Sequence, residues 1–241
     1  MYNLDAMLQK IIRKSFSKLD SDYIIPPYEY VQNCVEYHLN DYIETTPSDI
    51  KKIVIVGGYL GHEIPGFLKR YPNASIVVFE ASQRYFNKLN DRFANNKRVT
   101  TINKAVGANV GRQMFYETNL KGSGSLLEVG SLAQESYGTE AAESFEVDVT
   151  TLDTEFPDRQ VDCLWIDVQG AEGMVLAGAS DFMKRTKSVF IEVSVYPDLY
   201  EDAITYDELV KVLNAADLKI CLLGLSKENA TGNAFFVRYG K

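Results

Sequence analysis

Three glycines and one glutamate are spaced along the chain as in a binding site for a nucleotide-type cofactor. The apolar stretch KIVIV leads into Gly57, Gly58, Tyr59 and Gly61, and a second apolar stretch ends at Glu80. Glycines at such a turn allow positive φ angles and let a ligand approach the backbone closely. A carboxylate after the second strand can accept hydrogen bonds from ribose hydroxyls. The alternative is a plain turn followed by a solvated acid, but strand, turn, helix, strand and acid in this order favour a cofactor site.

The glycine spacing narrows the choice of cofactor. The turn has the pattern G-G-x-x-G, not the G-x-G-x-x-G of dinucleotide sites, and the sequence has no P-loop pattern. S-adenosylmethionine fits what remains, because it offers a ribose diol to Glu80 and an adenine to an apolar slot but has no pyrophosphate. We expect Ala81, next to Glu80, and Asn103 and Ala105, at the end of the third predicted strand, to lie beside this cofactor.

Four titratable side chains are candidates for proton transfer at the carboxyl edge of the predicted sheet. Asp167 ends the run VDCLWID, Glu192 lies in VFIEVS, Glu172 begins the helix after Asp167, and His62 follows the glycine turn. Asp167 is the first choice for a general base, and its alternative role is to hold the turn into QGAEG. Glu192 beside Asp167 would have its pKa raised by like charge. His62 is a candidate because histidine is the residue type that most often acts as acid or base near neutral pH, although a loop histidine is more often only a helix-start residue. Glu172 is a candidate for substrate binding or for stabilising a helix N-terminus.

The Gly/Ser-rich segment GSGSLLEVGS is a candidate lid over an acceptor. Ser123 and Ser125 are predicted to contact the acceptor, since a Gly/Ser hinge allows closure. The alternative is a disordered crossover. Asp153 is predicted to cap a turn. No His/Cys/Asp spacing is typical of a metal site, so no metal is predicted.

From residue 51 onward, the pattern alternates between strands and helices. Apolar β-type runs occupy residues 52–56, 75–80, 99–106, 161–167, 187–194, 218–224 and 234–239, and helical segments occupy 61–70, 82–94, 171–185 and 205–215. Near-continuous apolar strands that alternate with helices predict an α/β fold with a mainly parallel sheet and helices on both faces. The stretch 112–151 breaks the rhythm with short strands around the Gly/Ser-rich loop, as functional insertions often do.

The first 48 residues are predicted to form a helical extension to a domain that spans residues 49–241. Apolar residues recur at helical spacing between Leu4 and Leu19, and a second helix is expected from Tyr28 to Ile43. The first helix is basic and amphipathic, which suits a membrane surface or an acidic partner, although packing on the domain is the simpler interpretation. The tyrosine-rich helices would also suit a homodimer contact or a lid.

The composition is that of an ordinary globular protein. The chain has 241 residues, of which 46% are hydrophobic and 24% charged, and a formal net charge of −8. This negative field disfavours non-specific binding to nucleic acid or to anionic membranes. Three cysteines lie far apart, two of them in apolar runs, and the sequence has no signal-peptide core or run of about 18 apolar residues. We therefore expect a cytoplasmic protein with reduced thiols and no membrane insertion.

The order of several short motifs resembles the FkbM-like methyltransferases. VIVGGYLGHE, VVFEAS, INKAVG, GSGSLLE, VTTLD, LWIDVQGAEGMVLAGA, VFIEVS and NAFFVR follow one another from about Lys51 to Arg238. The most specific of them is DVQGAE after an apolar strand, with TLD ahead of it. The resemblance implies a Rossmann-like class I sheet of seven strands with an antiparallel last strand. It also implies S-adenosylmethionine as methyl donor and a hydroxyl acceptor on a sugar, glycan or small metabolite.

The first motif departs from the family pattern. That pattern is Asp-Val-Gly-Ala-Asn-x-Gly, whereas Ile55 and Tyr59 stand here at the positions of the acid and the amide. In the family the acid helps to hold the methionine end of the cofactor, and a lost charged hydrogen bond weakens binding about ten- to a hundredfold. Three hypotheses follow: an S-adenosylmethionine-dependent O-methyltransferase, a non-catalytic binding module with the same fold, or another transferase on the same scaffold.

Overall fold

Seven strands form one sheet in the order β3-β2-β1-β7-β8-β10-β9. The computed structural model describes residues 28–195, 198–225 and 231–238. Its strands are β1 (Lys52–Val56), β2 (Ser75–Phe79), β3 (Val99–Ile102), β4 (Ala105–Val106), β5 (Gly111–Thr118), β6 (Ala141–Thr150), β7 (Cys163–Ile166), β8 (Ser188–Ser194), β9 (Lys219–Leu225) and β10 (Thr231–Val237). Only β10 runs antiparallel to its two neighbours in this sheet. The mainly parallel Rossmann-like sheet predicted from the sequence is confirmed.

The direction of strand order reverses at β1, which pairs with β2 on one side and with β7 on the other. In open α/β sheets, ligands bind outside the carboxyl ends of the strands at such a reversal. The glycine turn follows β1, Glu80 follows β2, and Asp167 follows β7. The topology therefore brings the three predicted site segments to one edge of the sheet.

Eight α-helices accompany the strands in the described part of the chain. They are α1 (Tyr28–Tyr42), α2 (Ile64–Arg70), α3 (Gln83–Phe93), α4 (Ser131–Tyr137), α5 (Leu152–Glu155), α6 (Glu172–Ala177), α7 (Ser180–Lys184) and α8 (Tyr206–Ala215). The prediction of a single helix over 171–185 is wrong, because the structure has two helices there, α6 and α7. At the break, a Cβ atom on Gly178 would lie 2.1 Å from the backbone oxygen of Gly107. The Asp153 carboxylate accepts hydrogen bonds from the amides of Asp181 and Phe182, so its capping role is confirmed.

The strand predicted over 99–106 is divided between two sheets. Residues 99–102 form β3, whereas β4 joins a separate three-stranded sheet in the order β4-β6-β5. The chain leaves the main sheet at Asn103, whose side-chain amide donates to the backbone oxygens of Glu80 and Ala81 at 2.9 and 3.2 Å. The small sheet contains the two strands expected between residues 112 and 151, and α4 between them was not predicted.

The two faces of the main sheet bury separate cores. Ile53 and Ile55 of β1 point into one core, and Val54 and Val56 point into the other. This alternation explains why β1 is an uninterrupted apolar run, since a parallel strand that is covered on both faces has no solvent side.

Helix α1 packs onto the sheet through one apolar face. Val31, Val35 and Leu39 are fully buried in the same core as Ile53, while Tyr37 is 40% exposed on the opposite side. The second predicted helix is thus confirmed, whereas the first lies outside the described residues. The domain boundary near residue 48 stays a prediction. In the residues that the structure describes, no helix is long and apolar enough to cross a membrane.

Candidate active site

The turn after β1 holds its shape through contacts that require glycine. Gly57 has a φ of +86°, and a Cβ atom there would lie 1.7 Å from the backbone oxygen of Asp167. The amides of Gly57 and Gly58 both donate to the backbone oxygen of Phe79, at 3.0 and 2.9 Å. The turn therefore joins the carboxyl ends of β1, β2 and β7 by direct backbone contact.

Both carboxylate oxygens of Glu80 accept hydrogen bonds from the backbone. The Tyr59 amide donates to Oε2 at 2.7 Å, and the Ser82 amide donates to Oε1 at 2.8 Å. Burial raises the pKa of Glu80 to about 7, although these two donors act in the opposite direction. Tyr59 has a φ of +44°, so Glu80 holds a backbone conformation that is uncommon for a non-glycine residue. Each carboxylate oxygen retains a second acceptor site for a ligand hydroxyl.

A cavity of about 180 Å³ lies between the glycine turn, Glu80 and the small sheet. Its apolar lining comes from Val56, Phe79, Ala105, Val106, Phe115 and Leu126, and its polar lining includes Tyr59, Glu80, Ser82, Lys104, Glu117, Lys121, Asp167 and Gln169. We call it the turn cavity. Its wall combines apolar side chains with the carboxylate of Glu80, which is the combination that an adenosine group needs.

A second cavity, of about 500 Å³, lies on the other side of Asp167 and Gln169. Its wall includes Gln32, Ser123, Tyr137, Thr139, Trp165, Asp167, Gln169, Phe190, Glu192, Tyr200 and Asn233. We call it the aromatic cavity. The part of its wall that the structure describes carries two carboxylates and no Lys, Arg or His side chain. Asp167 and Gln169 line both cavities, so ligands in the two cavities can meet at these two side chains.

Gln169 links the two carboxylates of the aromatic cavity. Its Nε2 donates to Asp167 Oδ1 and to Glu192 Oε2, each at 2.7 Å. The pKa of Glu192 is raised well above its ordinary range, first by burial and then by the negative charges of Asp167 and Glu172. Gln169 has a φ of +55°, and backbone strain of this kind often marks functional sites.

The turn that carries Gln169 is stabilised by hydrogen bonds to Glu172. Glu172 Oε1 accepts hydrogen bonds from the amides of Val168 and Gly170, at 3.1 and 3.3 Å. Glu172 is buried and lines neither cavity, and burial raises its pKa to about 7. Its contacts are those of a residue that shapes the turn.

The other predicted site residues divide between the cavity walls and their surroundings. The walls contain Gly57, Tyr59, Glu80, Ala81, Ala105, Asp167, Glu192 and Ser123. Neither wall contains Gly58, Gly61, Asn103, Ser125 or His62. Ser125 is buried and its hydroxyl donates to the backbone oxygen of Val168 at 3.4 Å, whereas His62 is exposed with its ring centroid 6.1 Å from that of Tyr59.

The Gly/Ser-rich loop contributes to both cavities. Gly122 and Gly124 line the turn cavity, while Ser123 between them lines the aromatic cavity. A Cβ atom on Gly122 would lie 3.3 Å from the Tyr59 ring, so the loop rests directly on the glycine turn.

Residues 56–219 match the family model of the methyltransferase FkbM domain. The chain belongs to this family. The 2-O-methyltransferase NoeI of Sinorhizobium fredii is 25% identical over 176 residues, which is 69% of this chain and 72% of that protein. Among solved structures, the methyltransferase domain of METTL16 has a TM-score of 0.51 at 11% identity, and the match covers 98% of this chain and 80% of that one. The family and the fold predicted from the sequence are thus confirmed.

Ile55, where the sequence departs from the FkbM motif, occupies an apolar core position. Ile55 is fully buried, in the same core as Phe67, Trp165 and Phe190. An aspartate at this place would lie among aromatic and aliphatic side chains, which disfavour a charge. The structure therefore accounts for the isoleucine by packing.

Sequence reasoning missed several residues of the two cavity walls. Gln169 stands within the DVQGAE motif, and its position beside Asp167 was the available signal. Tyr200 and Asn233 come from segments far along the chain and carried no signal of their own. Tyr200 packs against Gly170, where a Cβ atom would lie 2.7 Å from the tyrosine side chain.

Proposed function

We propose that this protein transfers a methyl group from S-adenosylmethionine to a hydroxyl oxygen of a sugar, a glycan or a small polyhydroxylated metabolite. The observation that carries the proposal is the position of Asp167, which lies between a cavity suited to adenosine and a larger cavity suited to an acceptor. Membership of the FkbM family supports methyl transfer, and the name of the relative NoeI supports an oxygen acceptor.

The turn cavity fits the donor. Glu80 has acceptor capacity left for the ribose hydroxyls, and Ala105, Val106 and Phe115 offer an apolar slot for the adenine. The Gly57 backbone borders the same space without a side chain in the way. When bound, the donor would supply a methyl group on a sulfonium, from which a neutral thioether departs as a good leaving group.

The carboxylates of the aromatic cavity can take the acceptor proton. We assign Asp167 as the group that accepts the hydroxyl proton, since it faces both cavities. Gln169 fixes the Asp167 carboxylate, and Glu192, with its raised pKa, holds a proton on the second carboxyl. With Glu192 neutral, the pair carries one negative charge, on Asp167. The hydroxyl proton of the acceptor therefore moves to the Asp167 carboxylate.

The lining of the aromatic cavity favours a neutral polyhydroxylated acceptor. The aromatic side chains of Tyr137 and Tyr200 in this wall can stack against a sugar ring, and Thr139 and Asn233 offer polar groups for its hydroxyls. The negative charge of Asp167, with no Lys, Arg or His side chain on the described wall, disfavours a phosphorylated or carboxylated acceptor.

Calorimetric titration with S-adenosylhomocysteine, the demethylated product, tests the donor site first. We expect micromolar binding to the wild type and a large loss for Glu80→Ala. Transfer of labelled methyl to a panel of neutral sugars and glycans then tests the reaction. If no binding occurs at millimolar ligand, the methyltransferase proposal fails.

A non-catalytic binding module is the second candidate, and the isoleucine at position 55 favours it. Binding of S-adenosylhomocysteine without methyl transfer to any acceptor would support this candidate. Cytoplasmic location and homodimer formation through α1 stay predictions.

A further inference from the structure

Tyr200 lies where the Gly/Ser-rich loop, the turn of Gln169 and the aromatic cavity meet. Its hydroxyl donates to the backbone oxygen of Ser123 at 3.3 Å and to Gln169 Oε1 at 3.5 Å. A tyrosine hydroxyl has one proton, so that proton is shared between an acceptor in the loop and an acceptor in the turn. Tyr200 is part of the aromatic-cavity wall, but the proposed proton transfer gives its hydroxyl no role.

The tyrosine is fixed both by its ring and by its backbone. The ring packs on Gly170, where φ is +96° and an added Cβ atom would lie 2.8 Å from the nearest ring atoms. The backbone of Tyr200 forms an antiparallel bridge with Val129. Next to this bridge, the Gly130 amide donates to the Leu199 oxygen at 3.0 Å. The hydroxyl is therefore held in place from two sides.

The Gln169 amide has its oxygen on the side of the tyrosine. Its Nε2 donates to Asp167 Oδ1 and to Glu192 Oε2, which uses both N–H groups of the amide. The oxygen of the same amide then accepts from the Tyr200 hydroxyl. A rotated amide would place its oxygen against the two carboxyls and lose both hydrogen bonds. A donor on Oε1 therefore favours the orientation that holds the carboxyl pair.

The Tyr200 hydroxyl keeps its proton in this environment. Burial raises the pKa of Tyr200 above its ordinary value, and the negative charges of Glu192, Glu172 and Asp167 act in the same direction. The charged form of the tyrosine is disfavoured by both causes. Tyr200 is therefore a neutral hydrogen-bond donor and not a second base.

We propose that Tyr200 is a positioning residue of the acceptor site, whose hydroxyl orients the Gln169 amide and thereby the carboxyl pair of Asp167 and Glu192. This inference deepens the proposed function and rests on it. Tyr200 acts through Gln169 and takes no proton itself. Since the same hydroxyl also bonds to the loop at Ser123, one group holds both the loop and the carboxyl pair.

Tyr200→Phe tests the inference, because it keeps the ring on Gly170 and removes only the hydroxyl. Carboxyl ¹³C NMR of the ligand-free protein at different pH values follows the pair, and Asp167→Asn and Glu192→Gln assign its two signals. Hydrogen bonds from the Gln169 amide favour the charged carboxylates. With a less well-held amide, the titration of the pair should move to higher pH by about 0.3–1 pH unit. In a Gln169→Met background, which lacks the amide, Tyr200→Phe should cause no further shift.

Methyl transfer shows whether this orientation matters for the reaction. The assay uses labelled S-adenosylmethionine and the neutral sugar of the panel that is methylated fastest. Tyr200→Phe should lower kcat about three- to tenfold. The KM for the sugar and the affinity for S-adenosylhomocysteine should stay within about threefold, because the ring and the turn cavity are unchanged.

Tyr116→Phe is the matched control. The Tyr116 hydroxyl donates to Glu128 Oε1 at 2.9 Å, and Tyr116 lines neither the turn cavity nor the aromatic cavity. This variant should leave the titration of the pair and kcat as they are in the wild type.

Three results would overturn the inference while the proposed function stands. They are an unchanged titration of the pair in Tyr200→Phe, an equal shift in the Gln169→Met background, and an unchanged kcat. A higher KM alone would belong to the last case, since Tyr200 would then only contact the acceptor. If the wild type neither binds S-adenosylhomocysteine nor transfers methyl, the proposed function fails, whereas the NMR titration still decides whether Tyr200 positions the pair.

Discussion

Asp167 and Glu192 accept hydrogen bonds from the same nitrogen, Nε2 of Gln169, and both distances are 2.7 Å. The two carboxyls come from the ends of neighbouring parallel strands, β7 and β8, so the sheet itself sets their separation. Two like charges in a buried site raise the pKa of at least one partner. The pair can therefore hold one proton and still accept another from a substrate hydroxyl.

Asp167→Asn should lower kcat for methyl transfer by about 10²- to 10⁴-fold, because an amide cannot accept the hydroxyl proton. The affinity for S-adenosylhomocysteine should change by less than about tenfold, since the contacts of Glu80 remain. Steady-state kinetics with labelled donor and calorimetry give the two numbers. Leu120→Ala, which changes an exposed residue of the same cavity wall, is the control and should retain most of kcat. Asp167→Asn with wild-type turnover would remove Asp167 from the proton-transfer role.

Glu80→Gln should weaken binding of S-adenosylhomocysteine about 10- to 100-fold, because one carboxylate oxygen becomes a donor amide. The Tyr59 and Ser82 amides, which now bond to the two carboxylate oxygens, would compete for a single acceptor. Thermal unfolding separates this effect on folding from the effect on binding. Lys121→Met, which changes another residue of the turn-cavity wall, should leave the affinity within about tenfold. Equal losses in the two variants would mean that the ribose does not depend on Glu80.

The sheet edge that carries the site could be predicted because its residues are local in sequence. An apolar strand, a glycine turn and an acid after the next strand lie within residues 52–80, and parallel strands bring their carboxyl ends together. Glu80 was found in this way, and Asp167 was found because it ends a later apolar strand; both line the turn cavity.

The remainder of the site depends on contacts between distant segments. Tyr200 meets Gly170 only after the chain has folded, and the apolar run over 99–106 does not show where it changes sheet. Glu63 Oε1, which is buried without a hydrogen-bond partner, is likewise visible only in three dimensions. The sequence around it is typical of an ordinary helix start. The periodicity and spacing of residues in the sequence predict the helices and strands. Which side chains are buried, and which atoms they bond to, is known only from the folded structure.

Gly57→Ala should lower the free energy of unfolding by about 3 kcal/mol or more, because a side chain at this φ is strained and also meets the backbone. The added Cβ would lie 1.7 Å from the backbone oxygen of Asp167, which cannot move without shifting β7. Urea denaturation measures the difference. Gly111→Ala is the matched control, because a Cβ atom added there would have nothing within 4 Å, and the change should stay within about 0.5 kcal/mol. Similar losses in both variants would show that the close approach at Gly57 does not limit stability.

Glu63→Gln should make the protein more stable at pH 8 than the wild type, by about 1–3 kcal/mol, and should change little at pH 5. Burial, with Asp167 and Glu36 nearby and Arg92 opposing them, raises the pKa of Glu63 from 4.5 to about 8. The folded wild type therefore keeps a proton that the unfolded chain releases above pH 4.5, so its stability falls as pH rises toward 8. Glutamine removes this dependence, whereas Glu80 and Glu172 titrate in both proteins and cancel in the comparison.

The measurement is urea denaturation of wild type and variant at several pH values between 5 and 8, without ligand. Glu36→Gln is the comparison, because Glu36 is a second buried acid but its carboxyl keeps a hydrogen-bond donor in Gln32, so its removal should give a smaller pH-dependent gain. If the difference in free energy of unfolding between Glu63→Gln and wild type stays constant over this range, the pKa of Glu63 is not raised by folding. A gain that grows with pH would identify Glu63 as an acid whose ionisation in the folded protein reduces its stability.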